Sequence, residues 1–166
     1  MDEIFAAYLA GLIDGEGSIQ INPNGGKKAR YHHWTLTVQI SSSANGYLQQ
    51  LRQDAGLGGS LTSWQSKVWV KRRSYNWRFY GASADGLLRL CLPYLRLKRP
   101  QAEVALQFRD ECCHFHGGRW NMMPTELLLA RRSFAMRMRE LNASDKKSGA
   151  GKGAGVHASS NYLNVR

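Results

Sequence analysis

The chain has 166 residues, which is enough for one domain with a core and too few for two comfortably. Its 23 Lys and Arg against 12 Asp and Glu give a formal net charge of +11, and this excess points to a polyanionic partner, either nucleic acid or an anionic membrane surface. No stretch approaches the roughly 18 consecutive apolar residues of a membrane-spanning helix, and the acidic N-terminus lacks a signal-peptide pattern. We therefore expect a protein of a prokaryotic cytoplasm or an organelle that binds nucleic acid and not a membrane.

The first predicted element is an N-terminal helix that ends in the nonapeptide Leu9–Gly17. Three small residues spaced four apart leave one stripe of this helix almost without side-chain volume. Glycine inside a helix costs about 1 kcal/mol relative to alanine, and close approach of a second helix is the expected compensation. A separate apolar face is predicted from Phe5, Leu9, Leu12 and Ile13. The small stripe consists of Ala7, Gly11 and Gly15.

Glu16 stands at the C-terminal end of this helix, which is the negative end of the macrodipole and disfavours an anion. A carboxylate beside unpaired C-terminal carbonyls is favourable if a cation binds there. Two such helices packed against each other would bring two Glu16 side chains, and therefore two cation sites, close together.

Two pairs of strands are predicted next, separated by a helix over 44–55. Strict alternation over 19–22 and again over 33–41 predicts strands with one apolar and one polar face, joined by turn residues at 23–26. The second pair covers 59–65 and 74–81, with Trp77 and Phe79 inward. Between them lies a basic stretch that favours phosphate contacts, with a charged, solvated turn as the alternative.

Helices are predicted to fill the rest of the first 142 residues. One ends near Pro93, the next runs from Pro100 to about Cys113, and the last covers Thr125–Leu141. From Ala143 the composition changes to Ser, Gly, Ala and Lys, which predicts a flexible basic tail over 143–166. The cluster Cys112–His116 lacks the spacing of zinc ligands, so we interpret it as helix-end core and surface.

The nonapeptide Leu9–Gly17 resembles the LAGLIDADG motif of homing endonucleases, with seven of nine positions identical and a carboxylate retained at the eighth. The predicted αββαββα order agrees with the family fold, an α+β fold with a four-stranded antiparallel DNA-binding saddle backed by helices. No second motif or internal repeat is present. The resemblance therefore implies an endonuclease domain over residues 1–142 that works as a homodimer, with Ala7, Gly11 and Gly15 at the interface.

By the same resemblance, Glu16 is the catalytic metal-binding acid and the backbone carbonyl of Gly15 is a second ligand. The expected ion is Mg²⁺, with two or more per dimer. The segment Leu95–Ala102 is similar to the one that holds the active-site lysine in single-motif members, which makes Lys98 the second catalytic candidate. The family's glutamine and arginine after the second strand have no counterpart, since Ser41–Asn45 occupies that region.

The predicted activity is site-specific double-strand cleavage of a long, near-palindromic DNA target by an intron-encoded homing endonuclease. The alternative is an intron maturase, with intron RNA as partner, or a non-cleaving nucleic-acid-binding protein on the same fold. The polar sheet face is the expected base-reading surface, and Lys and Arg supply phosphate contacts. Predicted base readers are Gln20, Asn22, Asn24, His33, Thr35, Thr37, Gln39, Asn76 and Arg78. Predicted phosphate contacts are Lys71, Arg72, Arg73, Lys146 and Lys147.

Overall fold

The computed structural model of the chain describes residues 2–24, 33–65, 73–113 and 123–148, with the side chains of the last helix as far as residue 144. Among these residues no helix combines the length and the hydrophobicity that a bilayer span needs. The elements in chain order are α1 (Glu3–Glu16), β1 (Gly17–Asn24), β2 (His33–Ser42), α2 (Tyr47–Ala55), β3 (Ser60–Gln65), β4 (Arg73–Tyr80), α3 (Ala82–Cys91), α4 (Arg99–Cys112) and α5 (Thr125–Ser148).

The strands form one antiparallel sheet in the order β1-β2-β4-β3. Each predicted strand is present, and the αββαββα order is confirmed, with α4 and α5 following it. The first helix passes directly into β1, because Gly17 both caps α1, donating its N–H to the carbonyl of Ile13, and begins the strand. Glu16 therefore lies at the junction of helix and sheet.

The core lies between the inner face of the sheet and the helices. Residues that alternate along β1, β2 and β4 are fully buried there, as the period of two predicts. Helix α1 contributes a face that is buried against the sheet, and α3 and α4 pack against the same inner face. The buried side chains include Leu9, Ile13, Ile19, Ile21, Leu36, Val38, Ile40, Trp77, Phe79, Leu88, Leu95 and Phe108.

A buried arginine joins the last two helices. Arg131 of α5 is only 5% exposed, and its Nε and Nη2 donate to the carbonyl oxygen of Cys112 at 3.0 and 2.5 Å. A cation at the C-terminus of α4 is on the favourable side of the helix dipole.

Burial raises the pKa of the Cys112 thiol above its ordinary value, so the neutral thiol is favoured. The described residues contain no cluster of three or more His, Cys, Asp or Glu side chains that could hold a metal ion, while His114–His116 lies outside them.

The last helix is longer than the sequence predicts. It continues to Ser148, past the predicted end at Leu141 and into the segment assigned to the tail. Asn142 explains part of the difference, since its Nδ2 donates to the carbonyl of Ile19 at 3.0 Å and holds the helix against the edge strand β1. The backbone of Lys146 and Lys147 is thus helical, although the structure does not describe their side chains.

Gly59 shows why the entry to β3 needs glycine. Its φ is +96°, and an added Cβ would lie 2.7 Å from Trp77 Nε1 and 2.9 Å from the Arg78 carbonyl. We expect Gly59→Ala to destabilise the fold by at least about 1–2 kcal/mol, the penalty of a left-handed backbone alone. Gly58→Ala is the matched control, because nothing lies within 4 Å of its added Cβ. Chemical denaturation of both variants checks this, and equal stability would contradict it.

Candidate nucleic-acid interface and active site

The outer face of the sheet is a continuous polar surface. Cross-strand register places Gln20 opposite Thr37 and Asn22 opposite Thr35, while Gln39 lies opposite Arg78 on the other side of β2. A shallow concavity occupies this face, lined by Gln20, Asn22, Pro23, Thr35, Thr37, Gln39, Arg78 and Tyr80. The structure therefore brings most of the predicted base readers into one depression.

The acidic residues of the chain lie at the helices and not on the sheet. The four described strands contain no Asp or Glu. Of the 12 acidic residues, Asp2 caps α1 and all the others lie within helices. The polar face thus presents amides, hydroxyls and arginine without an opposing carboxylate, which suits a polyanion that enters the concavity.

A hydrogen-bonded cluster orients Arg78 at the centre of this face. Arg78 Nε donates to Gln39 Oε1 at 2.6 Å, and Gln39 Nε2 donates to Ser41 Oγ and Asn76 Oδ1, each at 3.0 Å. Ser41 Oγ donates to the same Asn76 oxygen at 2.8 Å. Asn76 is only 8% exposed, so this predicted base reader lies beneath the surface. The Gln39 amide is engaged as well, whereas the terminal nitrogens of Arg78 make no hydrogen bond to any residue that the structure describes.

The remaining predicted DNA contacts divide between the ends of the sheet and the undescribed segments. Asn24 and His33 are paired in register at the open end of β1 and β2. Arg73 is exposed at the start of β4. Lys71 and Arg72, like the rest of 66–72, lie outside the described residues.

The small stripe of α1 faces away from the core. Gly11 and Gly15 are exposed and Ala7 is half-buried, and an added Cβ on either glycine meets nothing within 4 Å. Two large side chains flank the stripe, since Ile4 is 83% exposed and Tyr8 is 47% exposed. An apolar helix face with glycines at its centre is therefore left open in the single chain.

Lys98, one of the two predicted catalytic residues, contacts the end of this helix. The Lys98 ammonium donates to the carbonyl oxygen of Asp14, two residues before Glu16. The Asp14 carboxylate in turn accepts the backbone N–H groups of Arg96 and Lys98, each at 2.8 Å. Helix α1 and the segment before α4, which are 84 residues apart in sequence, are thereby held together. Glu16 is exposed beside this contact.

The oxygen ligands at this point fit a hard divalent cation whose remaining coordination positions are filled by water and phosphate oxygens. Glu16 supplies a carboxylate, and the end of α1 supplies backbone carbonyl oxygens, which are the ligands that Mg²⁺ prefers. No cluster of three metal-ligating side chains is present in the described part of the chain. Mg²⁺ commonly binds through one or two carboxylates plus waters and phosphate oxygens, so a single protein carboxylate at each site is compatible with it.

Comparisons with known proteins lead to the family that the nonapeptide resembles. No family model matches the chain. The DNA endonuclease I-CreI of Chlamydomonas reinhardtii is 29% identical over 117 residues, which cover 64% of this chain and 63% of that protein. The chain therefore spans less than two thirds of the length of this relative.

Two solved structures share the architecture. The homing endonuclease I-CvuI, crystallised with the I-CreI target and magnesium, matches with a TM-score of 0.67 at 20% identity, over 84% of this chain and 82% of that one. I-GzeII, a LAGLIDADG homing endonuclease in complex with its DNA target, matches with a TM-score of 0.61 at 15% identity, over 99% of this chain but only 55% of that one. The predicted fold is confirmed by these likenesses, and one copy of this chain corresponds to about half of the longer protein.

Sequence reasoning placed Glu16, Lys98 and the polar strand residues but gave Asp14 no role. Its signal was available, because Asp14 is the sixth residue of the nonapeptide and the only other acid in it. Trp64 was also missed. Register puts this residue opposite Ser74 on the outer face, where it is 63% exposed.

Proposed function

We propose that this chain, which has the fold of the LAGLIDADG homing endonucleases, is a site-specific DNA endonuclease that acts as a homodimer and depends on Mg²⁺. The observation that carries the proposal is the position of Lys98. A lysine distant in sequence donates to the end of the motif helix, next to an exposed carboxylate and beside an acid-free polar sheet. Binding alone does not require a lysine to be bonded two residues before an exposed carboxylate.

The sheet is the DNA-binding element in this proposal. A two-stranded ribbon fits the major groove, where arginine and amide side chains distinguish base edges. Gln20 and Asn22 are exposed and reach outward from the edge strand. Gln39 and Asn76 hold Arg78, so we assign them to positioning and Arg78 to direct contact with a base. Arg73 and the basic stretch 66–72 contribute phosphate contacts, from which most of the affinity is expected.

The chemistry is assigned to the end of α1. Glu16, with the backbone carbonyl of Gly15, would hold Mg²⁺, which when bound neutralises phosphate charge and activates water. Glu16 would therefore determine where the ion lies relative to the scissile phosphate. The Lys98 ammonium carries a positive charge to the same place, where it stabilises charge that develops on the phosphate or the leaving oxygen.

A second copy of the chain is needed to cut both strands. The open stripe of α1 lets two helices approach closely at Gly11 and Gly15, and this contact places the two Glu16 carboxylates near each other. Leu97 lies between two residues anchored to Asp14 and is 71% exposed, which extends the apolar surface toward the partner. A two-fold protein reads a two-fold target, so the DNA site is expected to be near-palindromic.

The test is cleavage of a library of palindromic duplexes with randomised half-sites, with Mg²⁺ or with EDTA. Sequencing of the captured ends identifies the target. Cleavage at one motif in Mg²⁺ alone supports the proposal. Enrichment of bound duplexes without any cut ends would instead favour a non-cleaving binding protein on this fold.

Arg78→Ala is expected to relax sequence preference at one or two positions of each half-site. The loss of a bidentate contact corresponds to about 1–3 kcal/mol of discrimination at those base pairs. Arg73→Ala is the matched control, because a phosphate contact lowers affinity for all sequences alike and makes the salt dependence shallower. Binding selections on both variants at two salt concentrations measure this. If Arg78→Ala weakens all duplexes equally, Arg78 is a phosphate contact.

A further inference from the structure

We propose that Asp14 is a positioning residue, which fixes the Lys98 ammonium beside Glu16 by holding the backbone of the Arg96–Lys98 segment. This inference rests on the proposed function for its catalytic meaning and on the geometry of the chain for the contact itself. Asp14 is not a metal ligand in this proposal. Its two carboxylate oxygens are engaged separately, Oδ2 by the Arg96 N–H and Oδ1 by the Lys98 N–H, each at 2.8 Å.

The segment that Asp14 holds is also anchored at both ends. Leu95 is fully buried and its carbonyl accepts a bond from Arg99 Nε at 3.2 Å, while the Lys98 carbonyl accepts the Ala102 N–H at 3.0 Å. Arg96 and Leu97 between these anchors are exposed. Lys98 is the N-cap of α4, but that helix start has no side-chain cap of its own. A carboxylate near a helix N-terminus is favoured by the dipole, and here it comes from another helix. Without Asp14, the N–H groups of Arg96 and Lys98 lose the bonds that tie them to α1.

The same contact sets the position of the ammonium group. Lys98 Nζ donates to the backbone carbonyl of Asp14, at the negative end of the α1 dipole. The backbone N–H and the side chain of Lys98 therefore both bond to Asp14, which lies two positions before Glu16. Hydrogen bonds to an ionised carboxylate are shorter and stronger than neutral ones, so this linkage is suited to preorganise the site.

Asp14→Asn changes this arrangement without a change in size. An amide keeps one oxygen and turns an NH2 group toward the second N–H, so at least one of the two bonds is replaced by two facing donors. We expect faster amide hydrogen exchange at Arg96 and Lys98 and a single-turnover cleavage rate lower by about 10- to 100-fold, as for a displacement of about 1 Å. DNA affinity without divalent metal should be unchanged, because the sheet is not altered.

A double-variant comparison separates positioning from general destabilisation. In a Lys98→Met background, Asp14→Asn should lower the residual rate no further, since there is no ammonium left to place. Asp54→Asn is the control: its exposed carboxylate on α2 accepts a 2.8 Å bond from Gln50 Nε2, and its loss should alter neither rate nor exchange at Lys98. If Asp14→Asn fails to fold, Asp14→Glu keeps the carboxylate and is expected to give an intermediate rate.

Three results would overturn the proposal. These are an equal loss of rate in the Lys98 and Lys98→Met backgrounds, a full rate despite faster exchange, and unchanged exchange at Arg96 and Lys98. A wild-type protein that cleaves no duplex in the library removes the proposed function and, with it, the catalytic meaning of Asp14. The exchange measurement still reports on the contact, so the two failures are distinguishable.

Discussion

Glu16→Gln is expected to abolish DNA cleavage and leave DNA binding intact. The substitution removes the charge that would hold Mg²⁺ but changes side-chain volume very little. Glu16 is exposed, and no hydrogen bond of its side chain is present among the described residues, so the fold does not depend on it. Removal of a charge from the centre of a metal site commonly removes most of the catalysis that the metal supplies.

The measurement compares single-turnover cleavage in Mg²⁺ with affinity in EDTA. Glu103→Gln is the matched control, since Glu103 is an exposed acid on α4 with no assigned role. Both variants raise the net charge by one, so any gain in affinity from charge alone should be the same. If the Glu16 variant cuts at the wild-type rate, Glu16 is not the metal-binding acid.

The fold was predictable where periodicity and motif agree. The alternation of Leu36, Val38 and Ile40 predicts a strand with one buried face, and these residues are buried. The strand order β1-β2-β4-β3, in which two hairpins pair through β2 and β4, was not predicted. The end of α5 was not predictable in this way. The bond from Asn142 to the Ile19 carbonyl joins residues that are 123 positions apart in sequence, and no local sequence pattern predicts such a contact.

The candidate site was predictable as residue types and not as an arrangement. Similarity of the segment around Lys98 marked the lysine, but its contact with α1 depends on the position of α4 against the sheet. Asn76 was predicted to face the DNA because it alternates with buried Trp77. The face is correct, yet bonds from Gln39 and Ser41 draw Asn76 beneath the surface. Periodicity assigns a side chain to a face and does not give its depth.

Gly11→Leu is expected to separate dimerisation from folding. In the single chain nothing lies within 4 Å of an added Cβ at this position, so the monomer has room for the side chain. Replacement of a helix glycine by leucine also favours the helix by up to about 1 kcal/mol. At a close helix–helix contact the same side chain would overpack the interface, typically at about 1–3 kcal/mol, which corresponds to roughly 5- to 150-fold weaker association.

The structure offers a matched control in Gly86→Leu. Gly86 is also an exposed helical glycine with nothing within 4 Å of its added Cβ, but it lies on α3, away from the stripe. Both variants should unfold at the wild-type denaturant concentration or above it when measured as monomers. Only Gly11→Leu should shift sedimentation toward the monomer and lose double-strand cleavage, because each protomer supplies one Glu16.

Tyr8 strengthens this expectation, since its hydroxyl is hydrogen-bonded to that of Tyr47 and the ring beside the stripe is held in place. A Gly11→Leu dimer of wild-type affinity would move the interface to another face, and the two carboxylates would then have no reason to meet.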